Sequence, residues 1–329
     1  MPCSIAVGRH GRPCAPVIPH LAVSLFFVSS VYLGTSSFAA TVLERLSRSR
    51  HRPALVVTRP DRPRGRGRRL AAPPVADAAR ELGLPLQQPD SVNSPEVVER
   101  IAALRPSAIC VCAFGAMIRA PLLSLQPLVN VHPSLLPRWR GAAPIERAIE
   151  AGDEATGVSI IELVEELDAG PVCAQRPEPI RPDDDFASLS ARLATLGGEL
   201  LVEALDGKPE CAPQPAQGVT YAHKIGPEDR RLDPERPAAE LERRVRALSP
   251  HIGAHLELDG GERLGVRRAA VFAGASGAAP GELIARGERL LLACAEDQLD
   301  LLEVQPAAGR PMAAGAYLRG RGAALRGAA

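Results

Sequence analysis

Short apolar runs alternate with helical patterns over the first two thirds of the chain, and this alternation predicts a layered α/β domain. The run Ala108–Phe114 is apolar on both faces, which predicts a buried strand near the centre of a sheet. The other predicted strands are Val31–Leu33, Ala54–Thr58, Leu84–Gln88, Leu128–His132, Val158–Leu163 and Pro171–Gln175. The predicted helices are Phe38–Ser47, Pro74–Leu82, Ser94–Leu104, Ala142–Glu150 and Phe186–Leu205. Because strands and helices take turns, we expect a doubly wound, mostly parallel sheet.

The pattern changes after Asp206–Gly218, a stretch rich in Pro, Gly and Gln that is typical of a linker. One amphipathic helix, Ala238–Leu248, is followed by short strands separated by turns. These predicted strands are His255–Leu258, Arg263–Val271, Gly281–Ala285, Arg289–Ala293 and Leu299–Val304. Many short strands with Gly-containing turns favour a small β-barrel.

We therefore divide the chain into four parts. The predicted parts are an N-terminal extension (1–30), an α/β domain (31–206), a linker (207–230) and a β domain (231–325). The extension has Arg9 and Arg12 before the apolar piece Leu21–Val28, a pattern that superficially resembles a targeting signal. Because no small-residue cleavage site follows, we favour a disordered extension or a start assigned too far upstream.

A polar pair stands at the end of an otherwise apolar strand. If Leu128–His132 is a strand, Asn130 and His132 share one face. Pro133 cannot donate to a sheet ladder, so the strand should end there, at the edge where α/β sheets bind ligands. A lone His in a strand is usually structural. A buried polar pair costs free energy unless something satisfies it, which keeps a functional role open.

Asp168, in the turn L-D-A-G, is the third candidate. An Asp in a turn is most often an Asx cap, but beside His132 it would hold the imidazole tautomer and raise its basicity. With an amide that can donate to an oxyanion, this set suits transfer of an acyl group to an amine. Ser134 lacks the G-x-S-x-G elbow, so we expect the substrate to supply the nucleophile.

Charge is nearly balanced overall, with a net charge of +1, but arginine is concentrated in one place. Six arginines lie between Thr58 and Leu70, at positions 59, 62, 64, 66, 68 and 69. The Pro and Gly residues among them predict an exposed loop without regular structure. Such a run is either a solvated surface or, because like charges repel, a site for an anion such as a phosphate backbone.

The seven cysteines are scattered, and none completes a metal-binding motif. Cys110 and Cys112 share a face of a predicted strand, where we expect small hydrophobic residues and neither a metal nor a disulfide role. This usage fits a reducing cytoplasm. No apolar run reaches membrane-spanning length, so we expect a cytoplasmic protein without a membrane partner.

Several of these stretches together resemble the folate-dependent formyltransferases. The strongest are N-V-H-P-S-L-L-P-R-W-R-G-A-A-P-I-E (Asn130–Glu146), T-G-V-S-I-I (Thr156–Ile161) and L-D-A-G-P (Leu167–Pro171). The arginine run is similar to the acceptor-stem-binding loop of the members that formylate methionyl-tRNA. Three later stretches also agree with the family: Thr220–Ile225, Leu301–Met312 and Tyr317–Gly322.

The resemblance implies a Rossmann-like formyltransferase domain followed by an OB-like β-barrel that contacts tRNA. It implies transfer of a formyl group from 10-formyltetrahydrofolate to initiator methionyl-tRNA for translation initiation, without a metal, by what we expect to be a monomer. The catalytic residues implied are Asn130, His132 and Asp168. The implied folate-binding residues are Ser134, Leu135, Leu136 and Pro137, and the implied tRNA-binding residues are Arg62, Arg64, Arg66, Arg68 and Arg69.

Three departures from the family pattern bear on specificity and stability. The first loop has Gly34-Thr35-Ser36-Ser37 where a Pro and an acid are usual, Glu166 replaces a Gly, and His251-Ile252 replaces an aromatic-Pro pair. Two alternatives stay open. One is a related enzyme that formylates a nucleotide-sugar amine or small metabolite or hydrolyses the folate; the other is a non-catalytic RNA-binding protein on the same scaffold.

Overall fold

The computed structural model describes residues 29–64, 69–258 and 261–325, so almost all of the predicted extension lies outside the described residues. The strands before the second domain are β1 Ser30–Gly34, β2 Pro53–Val57, β3 Arg62–Arg64, β4 Arg69–Ala71, β5 Leu86–Gln87, β6 Ala108–Cys112, β7 Leu128–His132, β8 Arg140–Gly141, β9 Ala155–Glu162, β10 Val172–Pro179 and β11 Tyr221–Ala222. The helices are α1 Ser37–Ser47, α2 Pro74–Glu81, α3 Pro95–Leu104, α4 Ala120–Leu123, α5 Pro144–Ala151 and α6 Phe186–Gly207.

Seven strands form the main sheet, in the order β10-β9-β7-β6-β1-β2-β5. The pairs from β7 to β5 are parallel, whereas β9 pairs antiparallel with both β7 and β10. The predicted mostly parallel α/β sheet is therefore confirmed. The apolar run of β6 lies at its centre, as its two-sided burial predicted.

The central strand separates two layers of core. Ile109 and Val111 face the layer that contains α3, while Cys110 and Cys112 face α1 and α6. Both thiols are free and buried, and burial raises the pKa of each to about 12, so they behave as small apolar groups. On the same side α6 passes close beneath β7, because a Cβ at Gly197 would lie only 2.9 Å from Val131.

The second domain consists of two helices and an antiparallel sheet. Its elements are α7 Ala238–Leu248, β12 Ala254–Glu257, β13 Arg263–Phe272, β14 Leu283–Arg286, β15 Arg289–Ala293, β16 Gln298–Gln305, β17 Met312–Ala313 and α8 Ala314–Leu325. The strand order is β12-β13-β16-β15-β14, with β17 beside β16. The prediction of a β domain is confirmed, with antiparallel strands, whereas closure into an OB-like barrel stays a prediction. The structure adds β17 and α8, which the sequence pattern did not reveal.

Ion pairs join the two domains across α5 and α7. Glu150 on α5 accepts hydrogen bonds from Arg147 and from Arg244 of α7, each at 2.7 Å. Arg147 also donates to Asp229 at 2.9 Å. These groups are mostly buried, so the contact is more than a solvated charge pair.

Cys173 and Cys211 form a disulfide, with an S–S distance of 2.07 Å. The scattered cysteine pattern gave no sign of this bond, and the bonded pair departs from the free thiols expected in a reducing cytoplasm. Val172 and Ala212 exchange both backbone hydrogen bonds, at 2.8 and 2.9 Å, which sets the two neighbouring cysteines side by side. A contact between residues 38 positions apart depends on how the linker returns to the sheet, and no local pattern encodes that return.

Candidate active site

The carboxyl end of β7 presents two buried polar side chains to a cleft. Asn130 and His132 expose 9% and 3% of their surface, and they lie opposite Ile161 and Ser159 of β9. The strand ends at His132, immediately before Pro133, which confirms its predicted bounds. The Asn130 amide makes no hydrogen bond to any described residue, so its donor and acceptor are free for a ligand.

The two ring nitrogens of His132 face different partners. Nε2 lies 2.9 Å from the Trp139 carbonyl oxygen, and Nδ1 lies 3.6 Å from Asp168 Oδ2. Because a carbonyl only accepts, Nε2 carries the hydrogen, and Nδ1 is the basic nitrogen of the neutral ring. At 3.6 Å Nδ1 is beyond hydrogen-bond distance of the carboxylate. The sequence predicts that Asp168 holds the tautomer of His132. In the structure the Trp139 carbonyl holds it instead.

Trp139 is held firmly enough to place that carbonyl. Its indole Nε1 donates to Asp153 Oδ2 at 2.8 Å, and its backbone N–H donates to Thr220 Oγ1 at 2.9 Å. Arg138 donates twice to the same Asp153 carboxylate and lies over the indole ring, 4.3 Å from its centroid. Trp139 itself has φ +65°, a conformation that non-glycine residues adopt only when their surroundings enforce it.

Asp168 reaches the site from the turn between β9 and β10. It is 8% exposed and has φ +50°, and its Oδ2 accepts the Gly141 N–H at 2.9 Å. The turn ends at Gly170, where a Cβ would lie 1.8 Å from the Glu162 carbonyl oxygen, so only glycine fits. The structure thus brings together all three predicted catalytic residues.

The cleft has a volume of about 630 Å³. Asn130, His132 and Asp168 supply polar groups to a wall that is otherwise largely apolar. The apolar lining includes Val111, Phe114, Ile118, Leu163 and Leu167. Loop residues 113–118 contribute much of this wall, and the sequence pattern had not singled them out. Sequence patterns locate polar groups at strand ends, but they do not show which loops fold over them.

Two family models match the chain. The model for formyl transferase matches residues 26–205, more than half of the chain. The model for the formyl transferase C-terminal domain matches residues 224–322. The chain belongs to the formyl transferase family.

Curated relatives of similar length agree with this membership. The methionyl-tRNA formyltransferase of Halorhodospira halophila (strain DSM 244 / SL1) is 45% identical over 298 residues, which cover 88% of this chain and 96% of that protein. The methionyl-tRNA formyltransferase of Methylococcus capsulatus (strain ATCC 33009 / NCIMB 11132 / Bath) is 45% identical over 294 residues, which cover 88% and 95%.

Solved structures share the fold at lower identity. HypX from Aquifex aeolicus, in complex with tetrahydrofolic acid, has a TM-score of 0.60 and 20% identity, over 88% of this chain and 46% of that one. The N-formyltransferase from Helicobacter canadensis, in complex with folinic acid and dTDP-3-aminofucose, has a TM-score of 0.60 and 12% identity. The match covers 84% of this chain and 98% of that one. At these identities the likeness supports the fold alone.

In this formyl transferase, the stretch Ser134–Pro137 packs behind the cleft and does not line it. Ser134 is fully buried and donates to the Arg138 carbonyl at 2.6 Å, while Leu136 is 5% exposed. Ser159 Oγ donates to the Ser134 carbonyl and accepts the Leu136 N–H. The predicted role of this stretch in folate binding stays a prediction.

The arginine run of this formyl transferase forms a short antiparallel hairpin of β3 and β4. The prediction of no regular structure was wrong, because Pro63 removes only its own N–H and leaves its neighbours free to pair. Arg62 and Arg69 are exposed. Arg66 and Arg68 lie outside the described residues, as does the side chain of Arg64. At the base of the hairpin, Arg59 donates to the Gly115 carbonyl of the cleft loop at 2.7 Å.

The three departures from the family pattern have structural partners. Thr35 donates to the Phe114 carbonyl at 2.7 Å, and Ser36 caps α1 by accepting the Ala39 N–H at 3.2 Å. Glu166 Oε1 lies 3.4 Å from Arg140 Nη1. His251 stacks on Phe186, with ring centroids 3.7 Å apart, and its Nε2 lies 3.1 Å from Glu146 Oε1. Through His251, the second domain contacts residues that line the cleft.

Within the part of the chain that the structure describes, one group has metal-ligand spacing: Glu162, Cys173 and Cys211. Both of its sulfurs are committed to the disulfide, so the group offers only a carboxylate to a cation. None of the described helices combines the length and the apolar character needed to cross a bilayer.

Proposed function

We propose that this formyl transferase moves the formyl group of 10-formyltetrahydrofolate to the α-amino group of initiator methionyl-tRNA, in the cytoplasm, for translation initiation. The observation that carries the proposal is the meeting of Asn130, His132 and Asp168 in one cleft of a chain that contains both formyl transferase domains. The names of two relatives that are 45% identical support methionyl-tRNA as the acceptor.

The reaction needs a base, an oxyanion donor and an acid. The α-amino nitrogen forms a bond to the formyl carbon, and the carbonyl oxygen becomes an oxyanion. The bond from that carbon to N10 of the folate then breaks, and the proton lost by the amine ends on N10. Each change of charge occurs at an atom that one of the three side chains can approach.

His132 carries the proton in this scheme. Its Nδ1 is the unprotonated nitrogen, since Nε2 donates to the Trp139 carbonyl, so Nδ1 accepts the proton of the amine and returns it to the leaving nitrogen. Asp168, 3.6 Å from Nδ1, stabilises the imidazolium while it exists. The free Asn130 amide donates to the oxyanion, where one such donor contributes roughly 100- to 1,000-fold in rate.

The apolar wall of the cleft supports a folate site. Val111, Phe114, Ile118 and Leu163 offer a surface on which a flat ring system loses water favourably. In this proposal the ring lies against that wall. Its reactive end is then directed toward Asn130 and His132.

The exposed arginine hairpin supports a tRNA acceptor. Arg62 and Arg69 project from a ribbon whose base contacts the cleft loop, so a phosphate backbone bound there lies close to the reacting amine. We propose that Arg62, Arg64, Arg66, Arg68 and Arg69 bind the acceptor stem, that the second domain contacts the rest of the tRNA, and that the enzyme acts as a monomer.

A formylation assay with several acceptors tests the proposal. Charged initiator and elongator methionyl-tRNAs, an amino-sugar nucleotide and a reaction without acceptor are compared at equal enzyme and 10-formyltetrahydrofolate. We expect fast formylation of the initiator tRNA alone. Faster formylation of the sugar, folate hydrolysis without acceptor, or tight tRNA binding without transfer would each replace the proposal with one of the alternatives considered above.

A further inference from the structure

The linker holds the turn that carries Asp168. The side-chain Nε2 of Gln214 donates to the carbonyl oxygens of Asp168 and Gly170, at 2.7 and 2.8 Å. Both hydrogens of one amide thus bind the backbone on either side of Ala169. Gln214 therefore binds the main chain of the turn and makes no hydrogen bond to the Asp168 carboxylate.

Few other hydrogen bonds hold the backbone of the turn, although the Asp168 side chain accepts the Gly141 N–H. Within it, Ala169 N–H donates to the Glu166 carbonyl at a long 3.3 Å, and no other described residue donates to the carbonyls that Gln214 binds. Asp168 has φ +50°, a left-handed conformation that costs an L-residue free energy unless its surroundings compensate, although Asp tolerates it better than most residues. The two hydrogen bonds from Gln214 are the clearest such restraint.

Gln214 is itself anchored on both sides. Upstream, the Cys173–Cys211 disulfide and the Val172–Ala212 bridge attach the linker to β10. Downstream, Thr220 accepts the backbone N–H groups of Trp139 and Arg140. Pro213 and Pro215 flank Gln214 and restrict its backbone, which reduces the entropy lost by holding the amide in place.

The same amide is joined to the opposite wall of the site. Buried Arg140 donates from Nε to Gln214 Oε1 at 3.0 Å. Arg140 lies between Trp139, whose carbonyl binds His132, and Gly141, whose N–H binds the Asp168 carboxylate. One side chain therefore connects the segment that fixes His132 with the turn that fixes Asp168.

We propose that Gln214 is a positioning residue that sets the separation of Asp168 from His132. This inference rests on the proposed function, because it assigns Gln214 a part in the same reaction. Without the two donors, the turn relaxes from its left-handed conformation and the carboxylate leaves its place beside Nδ1. Displacements of about 1 Å in a catalytic group cost up to 100-fold in rate.

Two variants of Gln214 test the proposal, and the same two substitutions at Gln217 serve as matched controls. Gln214→Met keeps the volume and removes every hydrogen bond, and Gln214→Glu keeps an acceptor for Arg140 but sets a carboxylate against the two carbonyls. Gln217→Met and Gln217→Glu make the same changes at an exposed linker position three residues on. For each protein, kcat and both KM values are measured, along with hydrogen exchange of the backbone amides over residues 164–172 and the melting temperature.

We expect kcat of Gln214→Met to fall at least tenfold, with both KM values within about twofold, because only the alignment of the reacting groups changes. The kcat of Gln214→Glu should fall further than that of Gln214→Met. Hydrogen exchange of the turn's backbone amides should be faster in both Gln214 variants. The Gln217 variants should match the wild type in every measurement. A general loss of fold would instead lower the melting temperature and raise both KM values.

Full kcat and unchanged exchange in Gln214→Met would overturn the inference, because a residue that only packs is well replaced by Met. The exchange measurement also separates this inference from the proposed function. If wild-type enzyme failed to formylate methionyl-tRNA, the proposed function would fall. Faster exchange in the Gln214 variants would still show that Gln214 holds the Asp168 turn, and unchanged exchange would refute it.

Discussion

Two buried aspartates of the first domain, Asp168 and Asp184, have opposite surroundings. The Asp184 carboxylate accepts two hydrogen bonds from Arg192, at 2.6 and 2.7 Å, and one each from Ser188 Oγ and the Arg181 N–H at 2.7 Å. The Asp168 carboxylate accepts one, from Gly141, and faces an imidazole nitrogen beyond hydrogen-bond distance. Both side chains are buried: that of Asp184 is 3% exposed and that of Asp168 is 9% exposed.

The difference separates a carboxylate that stabilises the fold from one that can serve a reaction. Burial alone would raise the pKa of Asp184, but hydrogen bonds from Arg192, Ser188 and Arg181 outweigh it and lower that pKa well below its ordinary value. Asp168 has lone pairs left over and faces the unprotonated Nδ1 of His132, the nitrogen that takes up the proton in the proposed reaction. An enclosed acid that is poorly satisfied is therefore the better indicator of a reactive site.

The largest expected effect comes from the imidazole beside Asp168. His132→Ala should lower the formylation rate by at least about 100-fold, because the group that carries the proton from the amine to N10 is lost. Binding of methionyl-tRNA, measured by filter retention, should be nearly intact. Normal activity in this variant would remove His132 from the mechanism.

The second effect is on stability and belongs to Asp184. Asp184→Asn should lower the free energy of unfolding by about 2 kcal/mol at pH 7, because charged hydrogen bonds to Arg192 are weakened in a buried place. Asp168→Asn is the matched control, with little loss of stability and a large loss of activity. Urea unfolding and the formylation assay are carried out on both variants. A large loss of stability in Asp168→Asn with little loss in Asp184→Asn would contradict the prediction.

The effect of Asp184 should also depend on pH. Because the folded-state pKa is lowered, the stabilisation is fully present above the unfolded-state pKa, near pH 4, and is lost as the pH falls toward the folded value. The stability difference between wild type and Asp184→Asn should therefore shrink below about pH 4. A difference that stayed constant down to about pH 2.5 would show that the charge of Asp184 is not responsible.

The smallest effect concerns the exposed hairpin. The double variant Arg62→Gln and Arg69→Gln should raise the KM for tRNA severalfold. It should also reduce the slope of log affinity against log salt by roughly 1 to 2, or about 0.9 for each phosphate that is no longer neutralised. Arg100→Gln with Arg105→Gln removes two exposed charges from another surface and should change neither. An unaltered salt slope in the hairpin variant would place the tRNA elsewhere.

Much of the site follows from local sequence. A five-residue apolar strand closed by Pro133 sets Asn130 and His132 on one face, and the glycine of L-D-A-G makes the Asp168 turn possible. The local sequence pattern does not show which distant segments pack against the site. The Trp139 carbonyl on His132, the Cys173–Cys211 disulfide and Gln214 on the Asp168 turn all depend on where a loop or linker packs.

The fold shows the same division. Periodicity located the main strands and α7 within a few residues, since burial of an apolar face decides them. It missed the short elements α4, β8 and β11, the hairpin of β3 and β4, the strand β17 and the helix α8. The missed strands have only two or three residues each, carry little hydrophobic pattern, and form because a neighbouring strand offers hydrogen bonds. The helix α8 is rich in Gly and Ala, and its few large apolar residues, Tyr317 and Leu318, pack into the core of the second domain.

The hydrogen bond between His132 and Trp139 has a genetic consequence. Its acceptor is a main-chain carbonyl, so the group that keeps the proton on Nε2 is encoded by no particular codon. Substitutions at position 139 change how firmly the segment is held, but they cannot replace the acceptor with a different chemical group. The tautomer of His132 therefore depends on the backbone conformation at position 139 and not on the side chain there. Position 139 should accept more substitutions than position 132 or 168.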